Sequence, residues 1–192
     1  MNPPELLHQL KACARDATRP ETLALAGTIA LSPTRKGAYR APIRGLAADE
    51  WPELVDMVFP RAAPLLPLLQ ARTREAAPGR DAREDEFHDL VELLLEHESQ
   101  PGAESRWLAC AVATASMAEN HLWQDLGLPD RAALNALMLT RFTALKLKNA
   151  GDMKWKKFFY RQLCERAEVL ICKSPTCGEC ADFAACFGPE TD

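Results

Sequence analysis

The chain has 192 residues, of which 47% are hydrophobic, and its net charge is −4. This length predicts one domain with a hydrophobic core, and the hydrophobic fraction excludes disorder along the whole chain. Alanine and leucine account for 58 residues, whereas valine and isoleucine account for only 8. Because β-sheets are built largely from β-branched residues, this composition excludes a mainly β or doubly wound α/β fold. We expect a single all-α domain over residues 1–192, organised as a helical bundle.

Apolar residues recur at helical spacing over most of the chain, and proline or glycine follows several of the periodic segments. The stretch 33–81 differs, because it is rich in proline, arginine and alanine and is predicted to be loop-rich. Within it, residues 33–49 are predicted to form an exposed basic loop, and Asp49 is predicted to cap the helix that follows. The periodic segments predict helices over residues 4–15, 21–31, 50–58, 83–98, 104–125, 130–147 and 153–170.

The sequence shows no export or membrane signal. Its start, Met1 to Glu5, lacks the basic residues and apolar stretch of a secretory signal, and the longest uncharged runs have about a dozen residues, whereas a membrane span needs about 20. We therefore expect a cytoplasmic protein that does not bind membranes. In that reducing compartment, seven cysteines indicate metal or redox chemistry rather than disulfides.

Charge is distributed unevenly along the chain. Residues 141–173 contain nine lysines or arginines and three acidic residues, although the chain as a whole is acidic. A solvated helix face and a site for an anion or an acidic partner explain this basic block equally well. Binding to duplex nucleic acid is not expected, because the overall charge is negative.

The strongest motif lies in the C-terminal segment 172–186, where four cysteines have the spacing C-x4-C-x2-C-x5-C. The residues between them are mostly polar, so the four thiols cannot all be core residues, and we predict that they hold one metal centre. Only one C-x2-C pair is present, and this compact run favours an iron–sulfur cluster over zinc without excluding zinc. We expect this irregular loop to become ordered on metal binding. The predicted ligands are Cys172, Cys177, Cys180 and Cys186.

Two further residues are weaker candidates for an additional metal ligand. His121 lies on the apolar stripe of its predicted helix, and Cys164 precedes the first cysteine of the run by eight residues. Both residue types are more often core residues in such positions. The sequence contains no evident acid–base pair, nucleophile or phosphate-binding loop, so we do not expect an enzyme.

Three stretches of the sequence stand out together: Met153–Glu165 (MKWKKFFYRQLCE), His121–Leu128 (HLWQDLGL) and the four-cysteine run. With these stretches, the chain resembles the NifQ family of nitrogen-fixation proteins. The resemblance extends over roughly residues 85–187, and the cysteine run that follows the aromatic, basic helix is its most specific part.

The resemblance implies a cytoplasmic carrier that supplies molybdenum for assembly of the nitrogenase iron–molybdenum cofactor. It also implies a 4Fe-4S-type cluster with a molybdenum-containing form, held by the four cysteines. The nitrogenase iron protein and the cofactor scaffold complex are the implied partners. Because molybdate is a hard oxyanion and thiolates are soft ligands, such a carrier needs a separate means of attracting molybdate. Our hypothesis gives this role, or contact with an acidic partner, to Lys154, Lys156, Lys157 and Arg161.

Two other functions remain open from the residues alone. One is a helical adaptor whose C-terminal segment is held by a structural zinc ion or iron–sulfur cluster. The other is a nucleic-acid-binding protein with a structural cluster, since some DNA glycosylases have a cysteine run that differs mainly in its first gap. The acidic net charge argues against the second function.

Overall fold

The computed structural model describes residues 1–76, 83–169, 177 and 180–190, and all regular structure within them is helical. The prediction of an all-α fold is therefore confirmed. Three 3-10 turns, Ser32–Thr34, Gly37–Arg40 and Ala63–Leu65, accompany the helices. The helices are α1 (Pro3–Cys13), α2 (Pro20–Leu31), α3 (Trp51–Val58), α4 (Leu66–Ala76), α5 (Glu84–Glu96), α6 (Ala103–Ser116), α7 (Leu122–Asp125), α8 (Arg131–Arg141), α9 (Thr143–Lys148), α10 (Trp155–Arg166) and α11 (Phe183–Phe187).

Two almost completely buried helices, α2 and α6, form the centre of the bundle. Nearly every residue of each helix is buried, which small side chains such as alanine, glycine and serine permit because they allow close packing on all sides. Helix α2 packs against α1, α6 and α8, and α6 also packs against α5 and α7. A helix that is apolar on all sides must be enclosed by other elements, so the amphipathic outer helices cover α2 and α6.

A buried ionic cluster connects three of these helices. The guanidinium of Arg141, at the end of α8, donates to the carboxylates of Glu21 in α2 and Glu104 in α6, at 3.0 and 2.5 Å. It also donates to the side-chain oxygen of Gln100 at 3.1 Å. Arg141 belongs to the basic block of the sequence, but only 6% of it is exposed. This part of the block is therefore structural and does not form a surface.

The segment 33–49 is not an exposed loop as predicted. Arg35, Tyr39, Ile43 and Leu46 are buried, and two of the 3-10 turns form its first half. Apolar residues spaced irregularly along this segment face the core one by one, a pattern that helical periodicity does not detect. Asp49 does not cap α3, whose N-cap is Glu50 without a side-chain cap hydrogen bond. The wider stretch 33–81 also contains α3 and α4.

Two of the predicted long helices are interrupted. The helix expected over 104–125 ends at Ser116, and α7 begins only at Leu122. The helix expected over 130–147 breaks at Phe142, whose backbone leaves the helical region while its ring is completely buried. In the described part of the chain, no helix combines the length and the apolar character that a membrane span requires.

Candidate metal centre at the C-terminal cysteines

Helix α10 carries the residues nearest to the cysteine run, and its first turns are firmly anchored. Trp155, Phe158 and Phe159 are buried and contact one another, with ring centroids 5.5 to 6.2 Å apart. The indole nitrogen of Trp155 donates to Asn135 Oδ1 at 2.9 Å. The aromatic spacing of this helix therefore serves the core, and its polar residues are left on the outer side.

The loop before α10 is closed by Asn149. Its side-chain amide donates to the carbonyl of Met153, and its side-chain oxygen accepts from the amide of Met153, both at 2.9 Å. Asn149 is 2% exposed, so these hydrogen bonds satisfy a buried amide group. Together with the aromatic contacts, they fix the position and direction of α10.

The end of the cysteine run returns to the start of this helix. The backbone amide of Lys154, the N-cap residue of α10, donates to the carbonyl of Cys186 at 2.8 Å. Cys186 lies in the short helix α11, where Phe183 and Phe187 stack with ring centroids 4.6 Å apart. Cys186 and Phe187 are partly buried against the core. The fourth predicted ligand is therefore attached to the helical body.

Beyond α11, Glu190 is held in a polar cleft. The Glu190 carboxylate lies 2.9 Å from Arg131 Nη1 and 3.6 Å from His121 Nδ1, and the Glu190 side chain is only 6% exposed. Arg131 also donates to the carbonyls of Asp152 and Met153, next to the start of α10. This contact attaches the chain on the far side of the cysteine run. Neither Glu190 nor Arg131 was predicted, because the sequence does not show that residues this far apart meet.

The central pair of cysteines lies within one turn of backbone. The amide of Cys180 donates to the carbonyl of Cys177 at 3.2 Å, and the amide of Phe183 donates to the carbonyl of Cys180 at 3.1 Å. The Nη1 of Arg161, in α10, lies 3.6 Å from the Sγ of Cys177. A guanidinium at this distance stabilises a thiolate by charge and by a hydrogen bond. The pair therefore lies beside a cation suited to a negatively charged sulfur site.

The structure describes three of the four predicted cysteine ligands. Cys172 lies outside the described residues. Cys177, Cys180 and Cys186 are all free of disulfides and half-buried, and the described residues contain no group of three or more His, Cys, Asp or Glu side chains arranged to hold a metal ion. Cys164 is half-buried on α10, three residues after Arg161. His121 contacts Glu190 rather than one of the described cysteines.

The four basic residues predicted to present an anion do not form one patch. Lys156 Nζ donates to Asp125 Oδ2 at 2.6 Å and to the carbonyl of Ala118 at 2.7 Å. Burial lowers the pKa of Lys156, and the contact with Asp125 opposes this effect. Lys154 is half-buried at the N-cap, Lys157 is exposed, and Arg161 contacts Cys177 and Glu165. Of these four residues, Arg161 contacts the sulfur of a described cysteine through its side chain, and Lys154 contacts Cys186 through its backbone.

Comparison with known proteins identifies the family. The sequence model of the NifQ family matches residues 24–188. The chain is 37% identical to Protein NifQ of Azotobacter vinelandii over 151 residues, which cover 76% of this chain and 77% of that protein. It is 40% identical to Protein NifQ of Klebsiella pneumoniae over 155 residues, which cover 79% of this chain and 89% of that protein.

A third relative, Protein NifQ of Rhodobacter capsulatus, is 42% identical over 125 residues, covering 65% of this chain and 66% of that protein. No solved structure matches this chain. The family match and the relatives agree with the resemblance carried by the cysteine run and the aromatic helix before it. The chain belongs to the NifQ family of nitrogen-fixation proteins.

Proposed function

We propose that this protein carries a molybdenum–iron–sulfur cluster on Cys172, Cys177, Cys180 and Cys186 and supplies molybdenum for assembly of the nitrogenase iron–molybdenum cofactor. The cluster is cargo, and the protein acts as a carrier rather than as a catalyst. The single observation that carries the proposal is the contact of Arg161 Nη1 with Cys177 Sγ at 3.6 Å. It places a cation beside one of the four sulfurs that the sequence marks as ligands.

The donor set fits such a cargo. Four thiolates bind iron and reduced molybdenum well, and they leave a cubane cluster with net negative charge. Arg161 partly offsets this charge, and its hydrogen bond to a ligand sulfur is of the kind that tunes cluster stability and potential. Helix α10 is anchored by its buried aromatic residues, so the cation stays in place when the cargo is exchanged.

The attachment of the cysteine run supports delivery rather than permanent storage. Its last ligand, Cys186, is fixed through its carbonyl to Lys154, and the chain beyond it is fixed through Glu190 to Arg131. Release of the cluster would therefore leave the run attached to the helical body and ready to be reloaded. The receiving partners in this proposal are the nitrogenase iron protein and the cofactor scaffold complex.

Metal analysis of the full-length protein tests the assignment of cargo and ligands. The protein is purified without oxygen from cells supplied with molybdate and iron, and iron, molybdenum, zinc and acid-labile sulfide are measured per chain. We expect several irons together with molybdenum, and loss of both from Cys177→Ser and Cys180→Ser. Cys13→Ser is the matched control, because Cys13 is a half-buried cysteine in α1, outside the run.

Delivery is measured by mixing the loaded protein with the cofactor scaffold complex, separating the two by size and following molybdenum. Molybdenum that moves to the scaffold supports the donor role. One zinc per chain with no iron would contradict the proposal and support a helical adaptor with a structural zinc ion. Iron without molybdenum in cells rich in molybdate would leave an iron–sulfur protein and exclude the donor role.

A further inference from the structure

A cavity of about 230 Å³ lies beside the connection between α6 and α7. One wall is formed by the end of α2 and the 3-10 turns that follow it, and the other is formed by residues 117–125. This volume is below the range of about 300–1,000 Å³ typical of sites for drug-sized ligands, so the cavity suits a small ion. Its polar lining includes Thr34, Arg35, Lys36, Glu119, Asn120 and Asp125.

Arg35 brings an unbalanced positive charge to this cavity. It is 8% exposed, and its guanidinium donates to the carbonyls of Thr28 and Asp125, both at 2.9 Å. Among the described residues, no carboxylate lies within ion-pair distance of Arg35. Backbone carbonyls orient a guanidinium but do not neutralise it, and a buried charge without a counter-ion is unfavourable. The cavity beside Arg35 is therefore a place where an anion would be stabilised.

The carboxylate of Asp125 supplies only part of the counter-charge for Arg35, because other groups also use it. Its Oδ2 accepts from Lys156 Nζ at 2.6 Å and from the backbone amide of Asn120 at 3.0 Å. Its Oδ1 accepts from the side-chain amide of Asn120 at 3.0 Å. One carboxylate thus faces two cations, Lys156 and Arg35, so one positive charge remains without a counter-charge from Asp125.

A second cation stands at the mouth of the cavity. Lys36 lies 3.2 Å from Glu119, but their side chains are 90% and 86% exposed, so this ion pair is weak and exchanges readily. Lys36 can turn toward an anion in the cavity, because its long, flexible side chain is exposed to solvent. The cavity therefore combines a fixed, buried guanidinium with a mobile ammonium group.

We propose that this cavity is a binding site for a small tetrahedral oxyanion with two negative charges, held by Arg35 and Lys36. The choice of molybdate among such oxyanions rests on the proposed function, whereas the charge arrangement by itself also suits sulfate and phosphate. The cavity suits the hard oxyanion because it offers N–H donors, whereas the soft thiolates of the cysteine run do not suit the oxyanion itself. The two tasks of a molybdenum carrier are thereby divided between two places in the fold.

The cavity and the cysteine run share structural elements. Lys156, which holds Asp125, and Arg161, which contacts Cys177, are five residues apart in α10, or about 7.5 Å along the helix axis. The segment 117–125 also contains His121, which contacts Glu190. Helix α10 therefore contacts both a wall of the cavity, through Lys156, and the cysteine run, through Arg161.

Equilibrium dialysis of the full-length, metal-free protein against molybdate tests the site. We expect saturable binding of one molybdate per chain, with affinity reduced at least tenfold in Lys36→Glu and in Thr34→Glu. Both positions are exposed and line the cavity, so the variants should fold, and their thermal midpoints verify this. The matched control is Lys11→Glu, which makes the same charge change at an exposed position of α1 that does not line the cavity. No binding, or equal binding by all variants, overturns the proposal.

Parallel measurements identify the anion and separate this proposal from the proposed function. Sulfate or phosphate binding as tightly as molybdate at equal ionic strength overturns the assignment to molybdate. The Cys177→Ser variant, which cannot load a cluster under the proposed function, should bind molybdate as the parent does. Loss of molybdate binding in Cys177→Ser would contradict a molybdate site that is separate from the cysteine run. Molybdate binding in a protein that never contains iron or molybdenum clusters supports the cavity and contradicts the carrier function.

Discussion

Gly27 and Gly127 lie in direct backbone contact. A methyl group on either residue would come within 2.7 Å of the Cα of the other, and a methyl group on Gly27 would also overlap the carbonyl of Leu126. Gly127 has a φ of +66°, which favours glycine. This contact sets how closely the end of α7 approaches α2, and with it the position of Asp125.

We expect Gly27→Ala to destabilise the protein although it improves a helix. Alanine in place of glycine inside a helix adds about 1 kcal/mol to the free energy of unfolding. Overpacking against rigid backbone costs about 1–3 kcal/mol, so the net effect is a loss. Thermal unfolding measures it, with roughly 2–4 °C lost per kcal/mol at this chain length. Gly151→Ala is the control, because its methyl group would meet only Phe187, at 3.5 Å. Equal thermal midpoints for the two variants would contradict the close backbone contact between Gly27 and Gly127.

Replacing Arg141 by methionine should strongly destabilise the bundle. The variant leaves Glu21 and Glu104 without the guanidinium that both contact, and breaking a buried ion pair costs about 3–5 kcal/mol. Arg166→Met is the matched control, because its partner Glu96 is half-exposed and surface pairs contribute about 0–1 kcal/mol. Denaturant unfolding compares the two. Similar losses would show that the buried cluster does not hold the helices together.

The same cluster predicts a dependence of stability on acid. Burial by itself would raise the pKa of Glu21, but hydrogen bonds from its own backbone amide and from Arg141 outweigh burial and hold the pKa below its ordinary value. A carboxyl group whose pKa is lowered in the folded state stabilises the fold at pH values above its ordinary pKa. This stabilisation is lost as the pH falls through the lowered pKa. The difference in free energy of unfolding between the parent and Arg141→Met should therefore narrow as the pH falls. A constant difference from pH 7 to pH 3 would oppose this assignment.

Arg161→Gln should loosen the metal cargo without affecting the fold. The substitution removes the cation next to Cys177, and loss of an outer contact to a metal ligand typically lowers metal retention 10- to 100-fold, so we expect loss to a chelator to be about tenfold faster. Arg161→Lys should restore part of the retention, because it keeps the charge. Lys157→Gln, at an exposed position of the same helix, serves as the control. If chelation proceeds at the parent rate in Arg161→Gln, the arginine plays no part in holding the cargo.

Glu190→Ala should make the cysteine run easier to cleave. The substitution removes the contacts with Arg131 and His121 that attach the chain beyond α11. Trypsin cleavage after Lys173, followed by mass spectrometry, should become several-fold faster, while the thermal midpoint of the bundle stays close to that of the parent. Asp182→Ala removes an exposed acidic residue from the same segment and is the control. Equal cleavage of both variants would show that Glu190 does not anchor the run.

Molybdate binding in the cavity should weaken as the pH rises toward 10. Burial lowers the pKa of Lys156, and burial lowers that of Arg35 to about 10, so positive charge around the cavity is lost earlier than for exposed residues. Dialysis from pH 7 to pH 10 measures the effect. An affinity that does not change over this range would contradict a role for these charges. The other titratable or charged groups that face the site are Asp125, Glu119, Lys36, Tyr39 and Arg83.

The parts of the molecule that could be predicted from sequence depend on local signals. The cysteine spacing and the aromatic helix before it stand within about 35 residues, and they identified the family. The all-α fold follows from composition and from apolar spacing, which reflect each helix's own contact with the core. The break after Ser116 escaped prediction because apolar Met117 and Ala118 continue the helical pattern, and no glycine or proline occurs before Gly127.

Other features depend on partners far away in the chain. Arg35 is buried by its hydrogen bond to the carbonyl of Asp125, 90 residues later, and Arg141 is buried by Glu21, 120 residues earlier. A sequence by itself does not distinguish a buried arginine from an exposed one. The prediction of an exposed loop over 33–49 was therefore wrong, and the burial of Arg141 within the basic block could not be predicted. The candidate oxyanion cavity escaped prediction for the same reason, because its two walls come from distant segments.

The hydrogen bond between Lys154 and Cys186 turns the cysteine run into a ring. The chain leaves the end of α10 at Arg166 and comes back to its beginning, about 18 Å away for a helix of twelve residues. Cysteine ligands on a closed ring lose less conformational entropy on binding a metal than ligands on an open chain. The reason is that the entropy of closing the ring is already lost in the metal-free protein. Under the proposed function, this ring would lower the entropic cost of each round of loading, and the helices that hold it would stay in place when the cargo is taken up and released.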